Sequence, residues 1–266
     1  MIDEPQSPPP RTSAGDSVLS VHDLQVTYTG GVRALTGVTL EVDAARVCAV
    51  VGMNGSGKST FFNAIMGIVP ARRGTIRVCG VDSATARRRG LVGYVPQNDA
   101  IDRHFPISVA NVVAMGRYGF MGPLRRLRRE DREAVDHALE VVGLADLRER
   151  PIGALSGGQR KRAFVARAVA QGAQLMLLDE PFAGVDYTSQ DVIVDLMRQL
   201  AAEGTTMLVS THDLASIPSF ADEVALLNRV IVGRGRPEDV LTPEHLVRAF
   251  TVPPDRGRDA GGRDAA

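Results

Sequence analysis

Tryptophan is absent from this chain of 266 residues, and all aromatics together supply 5% of it. That scarcity argues against an aromatic-rich β-sandwich. Val, Leu, Ile and Ala are plentiful instead, which fits layered α/β packing. Cysteine is nearly absent too. Cys48 and Cys79 lie in or beside apolar strand-like runs, with no CxxC spacing. They read as small buried hydrophobes in a reducing cytosol, not as a disulfide framework. A chain of this length buries about three-quarters of its extended surface and needs no covalent staples. Net charge is missing as well: 31 Lys and Arg balance 31 Asp and Glu. A balanced chain gives no electrostatic reason to expect nucleic acid as a partner. No stretch approaches the roughly 18 apolar residues of a membrane helix. The N-terminal stretch MIDEPQSPPPRTSAGDS has no apolar core of the kind a signal peptide carries. The expectation is a cytosolic chain whose membrane role, if any, runs through a partner. Internal repeats and sustained heptads are also lacking.

Three zones emerge. Residues 1–16 are rich in Pro, Ser and charge and read as a disordered tail, as do residues 251–266. Between them lies one domain, 17–250. Strand-like runs occupy 17–28, 38–42, 46–51, 75–78 and 91–95, then return at 175–178, 206–209 and 224–227. From 98 to 162 the character is helical. Ala134, Val135, Ala138, Leu139 and Val142 keep helical spacing there. The reading is an α/β core, 17–97 and 163–250, interrupted by a helical insertion, 98–162.

Gly52-Met53-Asn54-Gly55-Ser56-Gly57-Lys58-Ser59-Thr60 satisfies G-x-x-x-x-G-K-[ST]. An apolar strand, RVCAVV, runs into it and a helical stretch, FFNAIMGIV, follows. Glycines let backbone N–H groups converge on phosphate, and the helix N-terminus adds its positive dipole. Lys58 would reach the β- and γ-phosphates of ATP, and Ser59 would offer its hydroxyl to Mg²⁺. The second half of the site is Leu175-Met176-Leu177-Leu178-Asp179-Glu180. Its carboxylates emerge at the C-terminal end of a buried strand, the edge where parallel sheets bind ligands. Asp179 would hold Mg²⁺ through its water shell, and Glu180 would polarise the attacking water.

Leu155-Ser156-Gly157-Gly158-Gln159 resembles the signature of ATP-binding cassette (ABC) proteins, and the resemblance runs from about residue 17 to 250. It implies a P-loop NTPase (RecA-like) core, an ABC-type antiparallel β region and an inserted α-helical subdomain. Other positions match one by one. Tyr28 corresponds to the aromatic that stacks on adenine. Gln97, in GYVPQND, corresponds to the glutamine that links core to insertion and reaches the catalytic Mg²⁺. Asp186, in AGVD, corresponds to the loop that crosses to the partner, and His212, in VSTHDL, to the switch histidine near the γ-phosphate. Ser156, Gly157, Gly158 and Gln159 have their own logic. Adjacent glycines and a serine at a helix start form a second anion cradle. In the family that cradle faces the ATP of the other subunit. One cradle and one signature per chain imply a pair of ATP-binding subunits, read as a homodimer. One departure is Ala45-Arg46, where many relatives have a glycine turn.

The segment DRHFPISVANVVAMGRYGFMGPLRRLRREDRE looks like the manganese, zinc and iron importers, and GQRKRAFVARAVAQ strengthens this. Importers of iron–siderophore complexes, haem or cobalamin share a similar GRY stretch and form the alternative; a soluble ABC ATPase is a further one. The resemblance implies an integral membrane permease and an extracytoplasmic metal-binding protein as partners, with this subunit at the cytoplasmic face of the membrane. The arginines at 125, 126, 128, 129 and 132 read as a solvated face, with anionic lipid contact as the other reading. His22, His104, His137 and His245 form no metal-ligand spacing and read as surface or packing residues.

Overall fold

The computed structural model describes residues 17–97, 106–122 and 126–251. The tail expected at 1–16 lies outside the described residues, as does that expected at 251–266 except for Thr251, whose carbonyl accepts from Asn228 Nδ2 at 2.8 Å; His104 and Arg125 lie outside them too. In chain order the elements are β1 (Ser17–Thr27), β2 (Arg33–Asp43), β3 (Val47–Val51), α1 (Lys58–Ile65), β4 (Arg73–Val78), β5 (Val81–Asp82), α2 (Ser83–Arg88) and β6 (Val92–Val95). There follow α3 (Val109–Ala114), α4 (Arg129–Val141), α5 (Gly157–Gln171), β7 (Leu175–Asp179), α6 (Tyr187–Ala202) and β8 (Thr206–Thr211). The chain continues through α7 (Ile217–Phe220), β9 (Glu223–Leu227), β10 (Ile231–Gly235), α8 (Pro237–Val240) and α9 (Pro243–Phe250). No helix among the described residues is long and apolar enough to cross a membrane.

Two sheets organise these elements. One is antiparallel, in the order β2-β1-β4-β5; the other runs β10-β9-β3-β8-β7-β6. Strands β9, β3, β8, β7 and β6 are mutually parallel, and β10 closes one edge antiparallel. The parallel strands are apolar on both faces, as strands covered on both sides must be. Val47, Ala49 and Val51 of β3 join the core shared with helices α3 to α6, whereas Cys48 and Val50 join the core under the antiparallel sheet. Strand β7 divides likewise, Met176 and Leu178 to the first core, Leu175 and Leu177 to the second. The second core also takes Phe61, Phe62 and Ile65 of α1. Each such side chain contributes about 1.5–3 kcal/mol by leaving water. Burial pushes the Cys48 thiol up to about 12, so it behaves as an inert hydrophobe.

Strand β6 ends the parallel sheet, and an uncovered edge would expose a row of carbonyls. Helix α5 takes them with side chains. Gln171 Nε2 donates to the carbonyls of Gly90 and Val92 (2.8 and 2.9 Å), and an Arg167 guanidinium N–H donates to Tyr94 O (2.8 Å). Lys161 Nζ continues the series to Pro96 O (2.9 Å) and Gln97 O (2.6 Å).

Arg117, of the GRY stretch, turns inward. Its Nε donates to Asp131 Oδ1 at 2.9 Å and another guanidinium N–H to Ala170 O at 3.1 Å. Asp131 also accepts from Arg128 N at 3.0 Å, fixing the start of α4. Arg128, Arg129 and Arg132 are exposed, and Arg129 pairs with Glu133 at 2.6 Å. Arg126 is exposed as well, so the four described arginines of this run lie at the surface.

Candidate functional site

Four parallel strands end at one place. Val51 of β3 lies beside Thr211 of β8, Ser210 of β8 beside Asp179 of β7, and Leu178 of β7 beside Val95 of β6. The residues that follow these ends are Gly52, His212, Glu180 and Pro96-Gln97. The carboxyl edge of the sheet thus gathers residues far apart in sequence.

The loop after β3 is built around glycine. Gly57 has φ +106°, and a Cβ there would lie 2.6 Å from Leu35 Cδ2 and 2.9 Å from Ala34 O. At Gly52 a Cβ would lie 2.3 Å from Leu227 O. Helix α1 begins at Lys58 with no side-chain cap hydrogen bond and no acidic residue in its first turn. Its first N–H groups therefore present an unneutralised positive end, suited to an anion. Lys58 is buried, and its Nζ donates to Gly52 O at 2.6 Å and Met53 O at 3.1 Å. Burial holds its pKa below the usual lysine value, opposed by the nearby charges of Glu180 and Asp179.

Two carboxylates face this loop. Asp179 is 5% exposed; its Oδ1 accepts from Ser210 Oγ at 2.5 Å and its Oδ2 from Tyr94 OH at 3.4 Å. Burial, then the Asp179 charge, pushes the Tyr94 phenol up to about 12, so it remains a donor. Glu180 N–H donates to Ser210 Oγ at 2.9 Å. One serine therefore ties both acidic residues to β8. Glu180 Oε2 accepts from Gln97 Nε2 at 2.6 Å, and Oε1 lies 3.3 Å from His212 Nδ1. Glu180 itself holds a left-handed backbone, φ +45°.

Lys58, Gln97, Glu180 and His212 line a cleft of about 640 Å³ together with Tyr28, Val32, Arg33, Ala34, Met53, Asn54, Gly55, Gly57, Ser59, Thr60 and Arg229. Gly52 and the buried Asp179 lie behind this lining rather than in it. Tyr28 OH is 3.0 Å from Thr60 Oγ1, so the aromatic is braced against α1. Ser56 instead points beneath the loop, its Oγ buried and without a partner, and its carbonyl accepts from Arg229 N at 2.8 Å. Ser210, Tyr94 and Arg229 are additions that sequence reasoning missed. Ser210 carries a faint signal, a serine ending an apolar strand beside Thr211-His212; Tyr94 and Arg229 carry none.

The residues of the second cradle do not line this cleft. Ser156 caps α5: its Oγ accepts from Gln159 N at 3.2 Å and its N–H donates to Gln159 Oε1 at 3.0 Å. Asp186 caps α6, accepting from Ser189 N at 2.9 Å, a bond that holds its carboxyl below the usual range. The two helix starts touch. A Cβ on Gly157 would lie 3.0 Å from Gly184 O, and one on Gly158 would lie 2.6 Å from Ser189 Cβ. Each chain therefore carries two separate groups of the expected residues.

The sequence profile of ABC transporters matches residues 35–183. The chain belongs to the ABC transporter family. Among curated relatives, the manganese transport system ATP-binding protein MntA of Synechocystis sp. is 47% identical over 232 residues, covering 87% of this chain and 89% of the relative. The zinc transport system ATP-binding protein TroB of Treponema pallidum is 39% identical, covering 90% and 88%. A crystal structure of the ADP conformation of an ATP-binding cassette of an ABC transporter superposes with a TM-score of 0.76 at 26% identity, covering 87% of this chain and 97% of that one. As an ABC ATPase, the chain binds nucleotide and hydrolyses ATP.

Proposed function

We propose that this ATPase powers import of a divalent metal ion, manganese, zinc or iron, through a separate membrane permease. The observation that carries the catalytic part is the meeting of Lys58, Gln97, Glu180 and His212 at the ends of four parallel strands in one cleft. The cargo class is supported by the manganese and zinc transport relatives. Tyr28 stacks on adenine, and the loop Gly52–Thr60 wraps the phosphates. Glu180 accepts a proton from the attacking water, while Gln97 and His212 fix its two carboxylate oxygens and His212 lies near the γ-phosphate. Asp179, Ser59 and Gln97 offer hard oxygen donors, a set that fits Mg²⁺; the ion would neutralise charge on the phosphates.

Ser156, Gly157, Gly158, Gln159 and Asp186 act across a dimer of two such chains, completing the partner's site. Residues 98–162 form the helical subdomain that meets the permease, and residues 17–97 with 163–250 form the catalytic core. The complex sits at the cytoplasmic face of the membrane and receives its cargo from an extracytoplasmic binding protein.

Radiolabelled manganese, zinc and iron uptake in cells lacking this chain tests the reading. Wild-type chain should restore uptake of at least one of them, and Glu180→Gln should not. Restoration by Glu180→Gln, or no effect on any of the three ions, would overturn it.

A further inference from the structure

Of the 31 lysine and arginine residues, only Lys58 and Lys161 are lysines. Both are buried, at 6% and 5% exposure. Both ammonium groups converge on two consecutive carbonyls of a loop at the site: Lys58 on Gly52 and Met53, Lys161 on Pro96 and Gln97. Everywhere else the chain uses arginine, including Arg160 and Arg162 on either side of Lys161. A planar guanidinium suits forked acceptors; a compact ammonium suits two carbonyl oxygens that meet at a point.

The place of Lys161 in the fold gives this choice a consequence. Helix α5 starts in the signature, with Ser156 as its cap, and Lys161 lies little more than one turn further on. Strand β6 has ended at Val95, so no sheet neighbour holds the backbone at Pro96 and Gln97, and proline offers no N–H of its own. The Lys161 ammonium grips Gln97 by its carbonyl at 2.6 Å, and Gln97 grips Glu180 by its amide, also at 2.6 Å. A buried cation is costly unless paired, so the ammonium and these carbonyls move together.

We propose that Lys161 is a positioning residue that sets the Gln97 amide on Glu180 and so couples the signature end of α5 to the hydrolytic carboxylate. The proposal rests on the roles given above to Gln97 and Glu180. A displacement of α5 at the signature would be carried through Lys161 to the carboxylate in the same chain.

The test is a double-mutant cycle on the full chain, measuring kcat for ATP and, separately, MgATP affinity. Lys161→Met should lower kcat by about 10- to 100-fold, the effect of misplacing a catalytic group by about 1 Å, while leaving the nucleotide Kd within about threefold, as expected for a group that touches no phosphate. Gln97→Ala should lower kcat comparably. The double variant should be hardly worse than either alone, because both changes break one connection. If Gln97→Ala retains wild-type kcat, the role given to Gln97 falls. If Gln97→Ala is impaired but Lys161→Met stays within about twofold of wild type, or the two losses multiply, the coupling proposed for Lys161 is wrong. A rise in Kd that matches the fall in kcat would equally overturn it. Should Lys161→Met fail to fold by circular dichroism, Lys161→Leu, which likewise cannot donate to either carbonyl, replaces it in the same cycle under the same criteria.

Discussion

Ala45 and Glu180 both hold left-handed backbones, at φ +58° and +45°, for different reasons. Ala45 stands in the turn before β3, where its N–H donates to Thr206 Oγ1 at 3.0 Å. Its side chain is only half-buried. A left-handed conformation costs a non-glycine residue roughly 1–2 kcal/mol, and glycine loses roughly 0.5–1 kcal/mol in chain entropy. Ala45→Gly should therefore raise stability by up to about 1 kcal/mol, read by urea unfolding, with unchanged ATPase rate; a lower midpoint would contradict this account. Glu180 holds the same conformation where β7 ends, between its bonds to Ser210, Gln97 and His212, and strain of this kind clusters at functional sites. Lys58 presents a third case, a cation held below its usual pKa by burial beside two carboxylates. Lys58→Ala should weaken MgATP binding by at least about tenfold, since charge-assisted bonds contribute roughly 1.5–3 kcal/mol each. Calorimetric titration checks it, and wild-type affinity and turnover would refute the phosphate-cradle role.

At the scale of elements, the edge of β6 depends on one neighbour, α5, for its carbonyl partners. Gln171 serves two carbonyls at once, so Gln171→Leu should strand both. A buried acceptor without a partner costs about 1–3 kcal/mol. For a domain of this size that means a Tm lower by about 2–4 °C for each kcal/mol lost. A scanning-calorimetry Tm within a degree of wild type would show that water takes over these carbonyls. The long buried runs of β3, β7, β8 and β9 were legible in sequence because strands covered on both faces are apolar throughout. Strands β5 and β10 and helix α2 were not. β5 has two residues and β10 is mostly half-buried, and α2, Ser-Ala-Thr-Ala-Arg-Arg, has no apolar stripe beyond the buried Ala86.

At the scale of the whole molecule, one chain holds two groups of site residues that do not meet: the cleft around Lys58, and the paired caps Ser156 and Asp186. Glu180→Gln keeps shape and hydrogen bonding but removes charge and basicity. It should slow hydrolysis by about 10²–10⁴-fold, the usual contribution of general-base assistance. ATP should still join two chains, so a dimer should accumulate on size-exclusion chromatography with MgATP. Ser156→Arg should prevent that dimer by filling the second cradle. A monomeric Glu180→Gln together with a normally dimerising Ser156→Arg would rule out the sandwich arrangement.

The chemistry proposed for the two cradles rests on short contiguous strings, because a phosphate loop needs its glycines, lysine and serine at adjacent positions. That requirement is local, so Gly52 to Thr60, Asp179-Glu180 and Ser156 to Gln159 could be proposed without a fold. Partners supplied by other strands and helices could not. Ser210 reaches Asp179 and the Glu180 backbone only because β8 lies beside β7. Lys161 reaches Gln97, 64 positions away, only because α5 lies along the sheet edge. A hydrogen bond acts over about 3 Å, and which side chains come that close is decided by tertiary packing.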